Sequence, residues 1–294
     1  MSNGHYTELS DRAVLRLAGA DTRTFLQGLV TADVDHLSES RALYAGLLTP
    51  QGKILFDFFL VQRGEEIFVD CARTQAADLT KRLTFYKLRA AVDIEDVSQE
   101  LAVVAVWGGD GPATTGSAIA YVDPRIAEAG TRLLVPAGAV DETAAEFGLD
   151  GTDEAAYHAH RITLGLADSV KDIGSGEHFP HECNFDQIGG IDFKKGCYVG
   201  QEVVSRTEHR GTARKRMVPL HFDGAAPATG TEITGNGKAV GEILSTAGNL
   251  ALGLIRLDRA RSALEADGAL TAGTDTVHLD KPDWARFDLP GAAE

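Results

Sequence analysis

One short segment, residues 194–202, combines several residue types that can carry out chemistry. It reads Lys-Lys-Gly-Cys-Tyr-Val-Gly-Gln-Glu, so a thiol and a phenol lie between two glycines and directly after two cations. Neighbouring positive charge lowers the pKa of a thiol and raises its thiolate fraction, which makes Cys197 a candidate nucleophile or metal ligand. Lys195 and Glu202 are the candidate partners for it in acid–base chemistry. The alternative is a structural role, because cysteine is among the most buried residue types.

Positive charge also accumulates around this segment. Between residues 194 and 216 the chain has seven basic residues and two acidic ones, whereas the formal net charge of the whole chain is −15. A basic patch in an acidic protein predicts binding of a small polyanion, and arginine pairs with carboxylates through two hydrogen bonds at once. The alternative is a strand face with solvated charges. The basic residues are Lys194, Lys195, Arg206, Arg210, Arg214, Lys215 and Arg216.

A third group of residues offers metal ligands. His178, His181 and Cys183 precede the segment, and Cys197 and His209 are further candidates. Ligands of these types suit zinc or iron. Their spacing matches no standard metal signature, however, and the three cysteines include no C-x-x-C pair. We therefore predict no metal site.

Composition narrows the class of protein. The chain has 294 residues, 44% of them hydrophobic and 24% charged, which is typical of globular domains and long enough for two. The negative net charge opposes direct binding of nucleic acid, and no apolar run is long enough to predict a membrane span. The first eleven residues are polar and include acids, unlike a signal or transit peptide. The sequence therefore predicts a cytoplasmic protein.

Hydrophobic spacing indicates the elements that position these residues. Strands are predicted near residues 13–17, 42–48, 54–61, 91–97, 101–107 and 132–135, and helices near 22–30, 75–88, 141–147 and 153–166. Asp21 or Thr22 is the predicted cap of the first helix. Residues 174–200 lack periodicity, and a loop of that length is usually functional. After residue 214, short strands separated by glycine-rich turns predict a small barrel. We predict an α+β region over residues 1–210 and a β-barrel over residues 211–288.

The block KGCYVGQE at residues 195–202 resembles the signature of the YgfZ family. Other segments that resemble the same family are FLQGLVTADV at 25–34, TPQGK at 49–53, YKLR at 86–89, NFD at 184–186 and GGI at 189–191. That family is similar to the folate-binding half of glycine-cleavage aminomethyltransferases. The resemblance implies an α+β, GcvT-like aminomethyltransferase fold. Three lobes, two of them interleaved, would form a ring around a central channel, and the third would be the small antiparallel β-barrel.

Tetrahydrofolate, or a derivative of it, is the cofactor that the resemblance implies. Its pterin would bind in the channel, and its glutamate tail would reach basic side chains. Cys197, Lys195 and Glu202 are the candidate catalytic residues. The candidate folate contacts are Lys195, Tyr198, Gln201, Glu202, Arg206, Arg210, Arg214 and Asp57.

Two departures from the aminomethyltransferase pattern argue against glycine cleavage. An Asp-Asp pair of those enzymes corresponds here to Phe56 and Asp57. Their Arg-Leu-Glu segment corresponds to residues 161–163, where Thr163 replaces a glutamate that recognises the pterin. A carboxylate accepts two charge-assisted hydrogen bonds from the pterin edge, and a hydroxyl offers far less.

The resemblance therefore implies a tetrahydrofolate-binding accessory protein in iron–sulfur cluster assembly or repair, including the clusters of tRNA-modifying enzymes. Its expected partners are folate and iron–sulfur proteins or their assembly machinery, without direct contact with nucleic acid or a membrane. The alternative is a tetrahydrofolate-dependent aminomethyl or one-carbon transferase, and a third possibility is a folate-binding module in which Cys197 is structural. An exposed thiol would favour the accessory role, and a carboxylate facing the reactive nitrogen of folate would favour the enzyme.

Overall fold

The structure, a computed structural model, describes residues 4–109, 111–112, 116–211, 213–266 and 268–291. Within these ranges the chain forms three β-sheets and six α-helices, as expected for the predicted α+β class. The helices are α1 (Thr22–Gln27), α2 (Ala76–Lys87), α3 (Val140–Glu146), α4 (Glu154–Thr163), α5 (Gln201–Arg210) and α6 (Leu257–Glu265). None of them is long and apolar enough to cross a membrane.

Seventeen strands are present in the described ranges. In chain order they are β1 (His5–Glu8), β2 (Arg12–Ala18), β3 (Leu43–Leu48), β4 (Ile54–Arg63), β5 (Glu66–Ala72), β6 (Asp93–Asp96), β7 (Leu101–Trp107), β8 (Ile119–Val122), β9 (Thr131–Pro136), β10 (Asp150–Gly151), β11 (Lys215–His221), β12 (Glu232–Gly235), β13 (Lys238–Ala247), β14 (Leu250–Arg256), β15 (Leu270–Ala272), β16 (Asp275–Thr276) and β17 (His278–Leu279).

The first sheet has the strand order β3-β4-β5-β2-β6, and the predicted strands near residues 42–48 and 54–61 form an antiparallel hairpin in it, β3 and β4. Side chains alternate between the two faces of a strand, and each face of β4 is buried against a different partner. Phe56, Phe58 and Leu60 pack with α1 and α2 in one core. Phe59 and Val61, on the opposite face, belong to a second core to which all three sheets contribute.

The second sheet, in the order β10-β1-β7-β9-β8, takes its first strand from the start of the chain, so the first two sheets are interleaved in sequence. The third sheet has the order β16-β15-β12-β13-β14-β11-β17. Only Val277 separates β16 from β17, although they stand at opposite ends of that order, so the sheet closes almost completely into a barrel. The barrel encloses a core of its own.

Several elements differ from the sequence predictions. The first helix ends at Gln27 rather than near residue 30. Asp21 occupies its N-cap position, but neither predicted side chain caps the helix: Oδ2 of Asp21 accepts the N–H of Ala91 at 2.8 Å, and the hydroxyl of Thr22 donates to the carbonyl of Gly19 at 2.8 Å. Elements that were not predicted include β1, β5, β8, β10, α5 and α6, and the short strands β15, β16 and β17 at the end of the barrel. Helix α5 lacked an apolar stripe because only Val204 is buried among its ten residues.

Candidate functional site

The long irregular segment before α5 is held in one path by hydrogen bonds. The Oδ1 atom of Asp192 accepts the backbone N–H groups of Lys194 and Lys195 at 2.7 and 3.2 Å. The N–H of Asp192 donates to the carbonyl of Thr31 at 2.9 Å, and the hydroxyl of Thr31 donates to the carbonyl of Gly190 at 2.6 Å. The loop is therefore tied to the chain that follows α1.

Lys195 makes the strongest of these ties. Its Nζ atom donates to the backbone carbonyls of Gln27, Val30 and Ala32 at 2.9, 2.6 and 2.7 Å. An ammonium group has three N–H donors, so all of them are used. Burial lowers the pKa of Lys195 to about 8, against the opposing effect of nearby aspartates. The structure thus gives this candidate catalytic and folate-contacting residue a different contact, with the backbone.

Cys197 is the exposed thiol of the molecule. Of the three cysteines, Cys71 and Cys183 are buried and Cys197 is exposed. Burial raises the pKa of Cys71 to about 12 and that of Cys183 well above its ordinary value. Tyr198, the next residue, points inward, and burial raises its pKa to about 12. Reactivity follows thiolate fraction and access, so the geometry singles out Cys197.

The two glycines beside Cys197 have different functions. Gly200 has a φ of 81°, and a Cβ there would lie 2.5 Å from the carbonyl oxygen of Thr49. The turn of the β3–β4 hairpin therefore packs directly against the start of α5. Gly196 has open space around it, with nothing within 4 Å of a Cβ. Gly200 fixes the loop, and Gly196 leaves the neighbourhood of the thiol uncrowded.

The predicted basic segment is divided between three environments. Glu202 and Arg206 form an exposed ion pair of 2.6 Å on α5, a type of pair that contributes about 0–1 kcal/mol. Arg210 is exposed at the end of the same helix. Arg216 is buried and pairs with both carboxylate oxygens of Asp186 at 2.5 and 2.9 Å. The alternative of a solvated strand face is wrong for residues 201–210, which are helical.

Within the predicted basic segment, Arg214 differs from Arg206, Arg210 and Arg216 because it lines a cavity of about 320 Å³. Lys215 and Arg256 add two more cations to this cavity, and Phe179 and Val203 contribute apolar surface. The arrangement suits a ligand with carboxylates next to an apolar part, since arginine pairs bidentately with carboxylates.

Asp57 lies apart from all these residues, in the core between the sheets. It is 3% exposed, and its Oδ2 accepts the hydroxyl of Tyr44 at 3.0 Å. Burial raises the pKa of Asp57, although Arg12 opposes the shift. The structure does not bring the candidate folate contacts together: Asp57 is in the core, Lys195 and Tyr198 are buried beneath the loop, and Gln201, Glu202, Arg206 and Arg210 lie on α5.

A network of buried ion pairs was missed by the sequence predictions. The carboxylate of Asp70 accepts hydrogen bonds from Nε of Arg12 at 2.6 Å and from Nη1 of Arg132 at 2.9 Å. The carboxylate of Asp123 pairs with Arg125 at 2.7 Å and with Arg132 at 3.4 Å. Burial alone would raise the pKa values of Asp70 and Asp123, but the arginines lower both below their ordinary range.

The arginines of this network also pack on one aromatic ring. The guanidinium carbons of Arg132, Arg125 and Arg12 lie 4.3, 4.9 and 5.6 Å from the ring centre of Phe59, close enough for cation–π attraction. A signal was present in the sequence, because Arg132 and Asp70 are charged residues inside otherwise apolar strands.

The residues considered as metal ligands are dispersed. Cys183 is buried, Cys197 is exposed, and Nε2 of His181 contacts Oε2 of Glu208 at 3.1 Å. Three groups of histidine and carboxylate side chains have ligand atoms within 4.8 Å of one another, and none of these groups, as found among the described residues, includes a cysteine.

Comparison with known proteins identifies two segments. The model of the GCVT N-terminal domain matches residues 4–118, and that of the CAF17 C-terminal beta-barrel domain matches residues 214–287. The crystal structure of glycine cleavage system aminomethyltransferase T from Bartonella henselae aligns with a TM-score of 0.75, at 15% identity, over 94% of this chain and 84% of that one. At this identity the likeness shows the fold alone, and it confirms the predicted fold class.

Curated relatives share more sequence. A Homo sapiens protein named iron-sulfur cluster assembly factor IBA57, mitochondrial, is 32% identical, with 94% of this chain and 84% of the relative covered. An IBA57 homolog from Neurospora crassa is 34% identical over 81% of this chain and 58% of its own length. Both are named mitochondrial, which contradicts the predicted cytoplasmic location. That prediction rested on polar N-terminal residues and a missing apolar span, and neither determines the compartment.

The packing of Gly200 predicts a large effect of a single methyl group. Gly200→Ala should lower the free energy of unfolding by roughly 1–3 kcal/mol, because alanine disfavours this φ and its Cβ would meet a backbone oxygen. Gly196→Ala is the matched control and should change the free energy by less than about 0.5 kcal/mol. Chemical denaturation measures both, and equal stability of the two variants would contradict the described packing.

The buried ammonium of Lys195 predicts a pH dependence. With its pKa lowered to about 8, folded Lys195 loses its proton before the unfolded chain does. The unfolded state then binds more protons, so this residue's contribution to the free energy of unfolding rises with pH above 8. Denaturation of wild type and Lys195→Met between pH 7 and pH 10 should show the difference, with Lys194→Met as the exposed control. A contribution that stays constant between pH 7 and pH 10 would mean that the carbonyls hold the charged form, because an unlowered lysine pKa lies near or above 10.

Proposed function

The chain belongs to the IBA57 family of iron–sulfur cluster assembly factors, and we propose that it acts in cluster assembly through the thiol of Cys197. The observation that carries this proposal is the exposure of Cys197 on a loop whose backbone is fixed on both sides. Thiolates are the usual ligands of iron–sulfur clusters. The thiol would release its proton to solvent as the sulfur–iron bond forms, and the cluster is the cargo of the reaction.

A single thiolate supplies only part of a ligand set. Iron–sulfur clusters are held by four protein ligands in most sites, and the other two cysteines of this chain are buried. The remaining ligands would come from another protein of the assembly machinery or from a client. The chain is therefore suited to handling a cluster together with a partner.

The accessory role is favoured over a folate-dependent transferase. The carboxylate expected to face folate, that of Asp57, is enclosed in the core and bonded to Tyr44. We further propose that the chain falls within the YgfZ branch suggested by its KGCYVGQE block, and that its clients include tRNA-modifying iron–sulfur enzymes.

Cys197→Ser tests the leading proposal. The variant should fold with wild-type stability, because the side chain is exposed, and it should fail to restore iron–sulfur enzyme activity in cells that lack the protein. In the wild type, iodoacetamide should alkylate Cys197 at least about tenfold faster than Cys71 at neutral pH. Cys71→Ser is the control for loss of a thiol. Full restoration of enzyme activity by Cys197→Ser at normal abundance would reject the role of this thiol.

Folate binding is a second proposal, and the described cavity supports only one part of it. Arg214 can pair with the carboxylates of a folate tail, since its side chain has no ion pair with any described residue. The other two cations of the cavity already have partners: Arg256 pairs with Asp258, and Lys215 lies 4.0 Å from Glu182, which also lines the cavity.

The residues lining the cavity offer nothing for the pterin: the glutamate that would recognise it is replaced by Thr163, and Asp57, another candidate folate contact, is buried elsewhere. The proposal is therefore limited to contacts with the glutamate tail of folate and includes no folate-dependent reaction.

A titration with reduced folates distinguishes the arginines. Arg214→Ala should weaken binding of tetrahydrofolate polyglutamate several-fold and affect the monoglutamate less, and the difference should shrink at high salt. Arg206→Ala is the control, because its side chain pairs with Glu202 outside the cavity. Isothermal titration calorimetry measures the affinities. Equal weakening by the two variants, or no preference for the polyglutamate, would reject the cavity as the tail site.

A further inference from the structure

Two large apolar side chains stand out in solvent at the end of α2. Phe85 is 71% exposed and Leu88 is 85% exposed, the highest values for large apolar residues in the described part of the chain. The opposite face of the helix packs Leu79 and Leu83 into the core beneath the first sheet. Scattered apolar residues on a surface need no explanation, but adjacent ones point to a contact with another molecule.

The backbone at Leu88 is strained. Its φ and ψ are 47° and −102°, a region that residues other than glycine rarely occupy. The side chain of Leu88 is exposed, so no burial of apolar surface offsets the strain. Strain of this kind persists where the surrounding structure enforces it, and it is concentrated at functional sites.

Unpaired positive charge surrounds these two residues. Lys81, Arg82 and Arg89 are exposed, and none of their side chains has a hydrogen bond or an ion pair with any residue that the structure describes. Some other surface arginines do have carboxylate partners: Arg256 pairs with Asp258, and Arg261 with Asp288. In a chain with a net charge of −15, such cations favour an acidic counterpart. We call Lys81, Arg82, Phe85, Leu88 and Arg89 the α2 patch.

The α2 patch and Cys197 lie at the two ends of α1. At the start of that helix, Asp21 exchanges hydrogen bonds with Ala91, three residues after Leu88. At its end, the carbonyl of Gln27 binds Lys195, two residues before Cys197. Six helical residues span about 9 Å. With the short extended segments at both ends and the reach of the Lys195 side chain added, the patch and the thiol are separated by roughly 40 Å at most, a distance that one large protein–protein interface can span.

We propose that the α2 patch is a docking surface for a protein partner with an acidic contact surface and an apolar recess, placed so that the partner also covers Cys197. This inference rests on the proposed role of that thiol. Lipid is a poorer occupant, because the apolar face of the helix, with Leu79 and Leu83, is already buried in the core and the net charge opposes an anionic membrane. Nucleic acid is opposed by the same net charge and offers phosphates, which gain nothing from Phe85 and Leu88.

Photo-crosslinking in cells identifies the occupant. The full chain carries p-benzoylphenylalanine in place of Phe85 or, as the control, in place of Val122, which is 60% exposed in the second sheet. The expected result is a protein captured from position 85 alone, attached through a peptide rich in Asp and Glu. Capture of RNA, or of the same proteins from both positions, would overturn the proposal, as would binding of purified protein to vesicles of phosphatidylcholine and phosphatidylglycerol through Phe85.

Affinity measurements with the purified partner then test the contacts. Phe85→Ser and the double variant Arg82→Glu/Arg89→Glu should each weaken binding by about tenfold or more, and the charge-reversal effect should shrink at high salt. Val122→Ser and Lys238→Glu, on other surfaces, should change affinity by less than about twofold. Unchanged affinity in both patch variants would overturn the proposal.

Leu88→Gly separates docking from folding. Glycine relieves the backbone strain, so the melting temperature should rise by roughly 2–6 °C, while partner affinity falls because the apolar side chain is gone. A structural role would lower stability instead. Cell assays distinguish the two proposals. If patch variants restored the activity of cluster enzymes fully and Cys197→Ser did not, the docking proposal would be rejected and the proposed role of Cys197 would stand. Full restoration by Cys197→Ser would instead remove the proposed function.

Discussion

The candidate site depends on one interaction, the binding of the Lys195 ammonium by three backbone carbonyls. This contact joins parts of the chain more than 160 residues apart in sequence and fixes a segment that has no regular secondary structure of its own. Burial opposes the charge, as the lowered pKa shows, and three charge-assisted hydrogen bonds offset that penalty. Lys195 points inward, whereas Cys197 is exposed two residues later, on a loop whose position these hydrogen bonds fix. A thiol that must meet a cluster at the surface benefits from this rigidity, since little ordering is left to occur on binding.

A second constraint acts at the centre of the molecule. The arginines around Phe59 form shared ion pairs with two buried aspartates, Asp70 and Asp123. Removal of any one of these charged side chains would therefore leave a buried charge without its partner. The core that joins the three sheets is thereby made specific as well as compact. The same packing encloses Asp57. The aminomethyltransferase fold is retained in this chain.

With these two groups of interactions inside the molecule, the features proposed to act in function, Cys197 and the α2 patch, are on the surface. The exposed features lie on the helical side of the first sheet, where the short helix α1 connects the surroundings of Leu88 to those of Lys195. Tyr86 and Val199, neighbours of the α2 patch and of Cys197, pack on the same core. A partner bound at this side would therefore meet a single rigid unit. Charge contributes selectivity, because unpaired cations on an acidic molecule attract acidic partners and disfavour others.

The sequence by itself determined what local residue pattern can determine. Apolar runs predicted β2, β3, β4 and the longer barrel strands. The composition of KGCYVGQE indicated Cys197, and missing periodicity indicated the loop before α5. It did not determine which members of that block face inward. Lys195 and Cys197 are two residues apart, yet Lys195 is buried and Cys197 is exposed. The difference arises because backbone carbonyls at and after the end of α1 bind the ammonium group of Lys195. Helix α5 was missed since its single buried residue leaves no periodic signal. The separation of Asp57 from Arg214 was likewise invisible, because both positions depend on sheets that meet only in the folded chain.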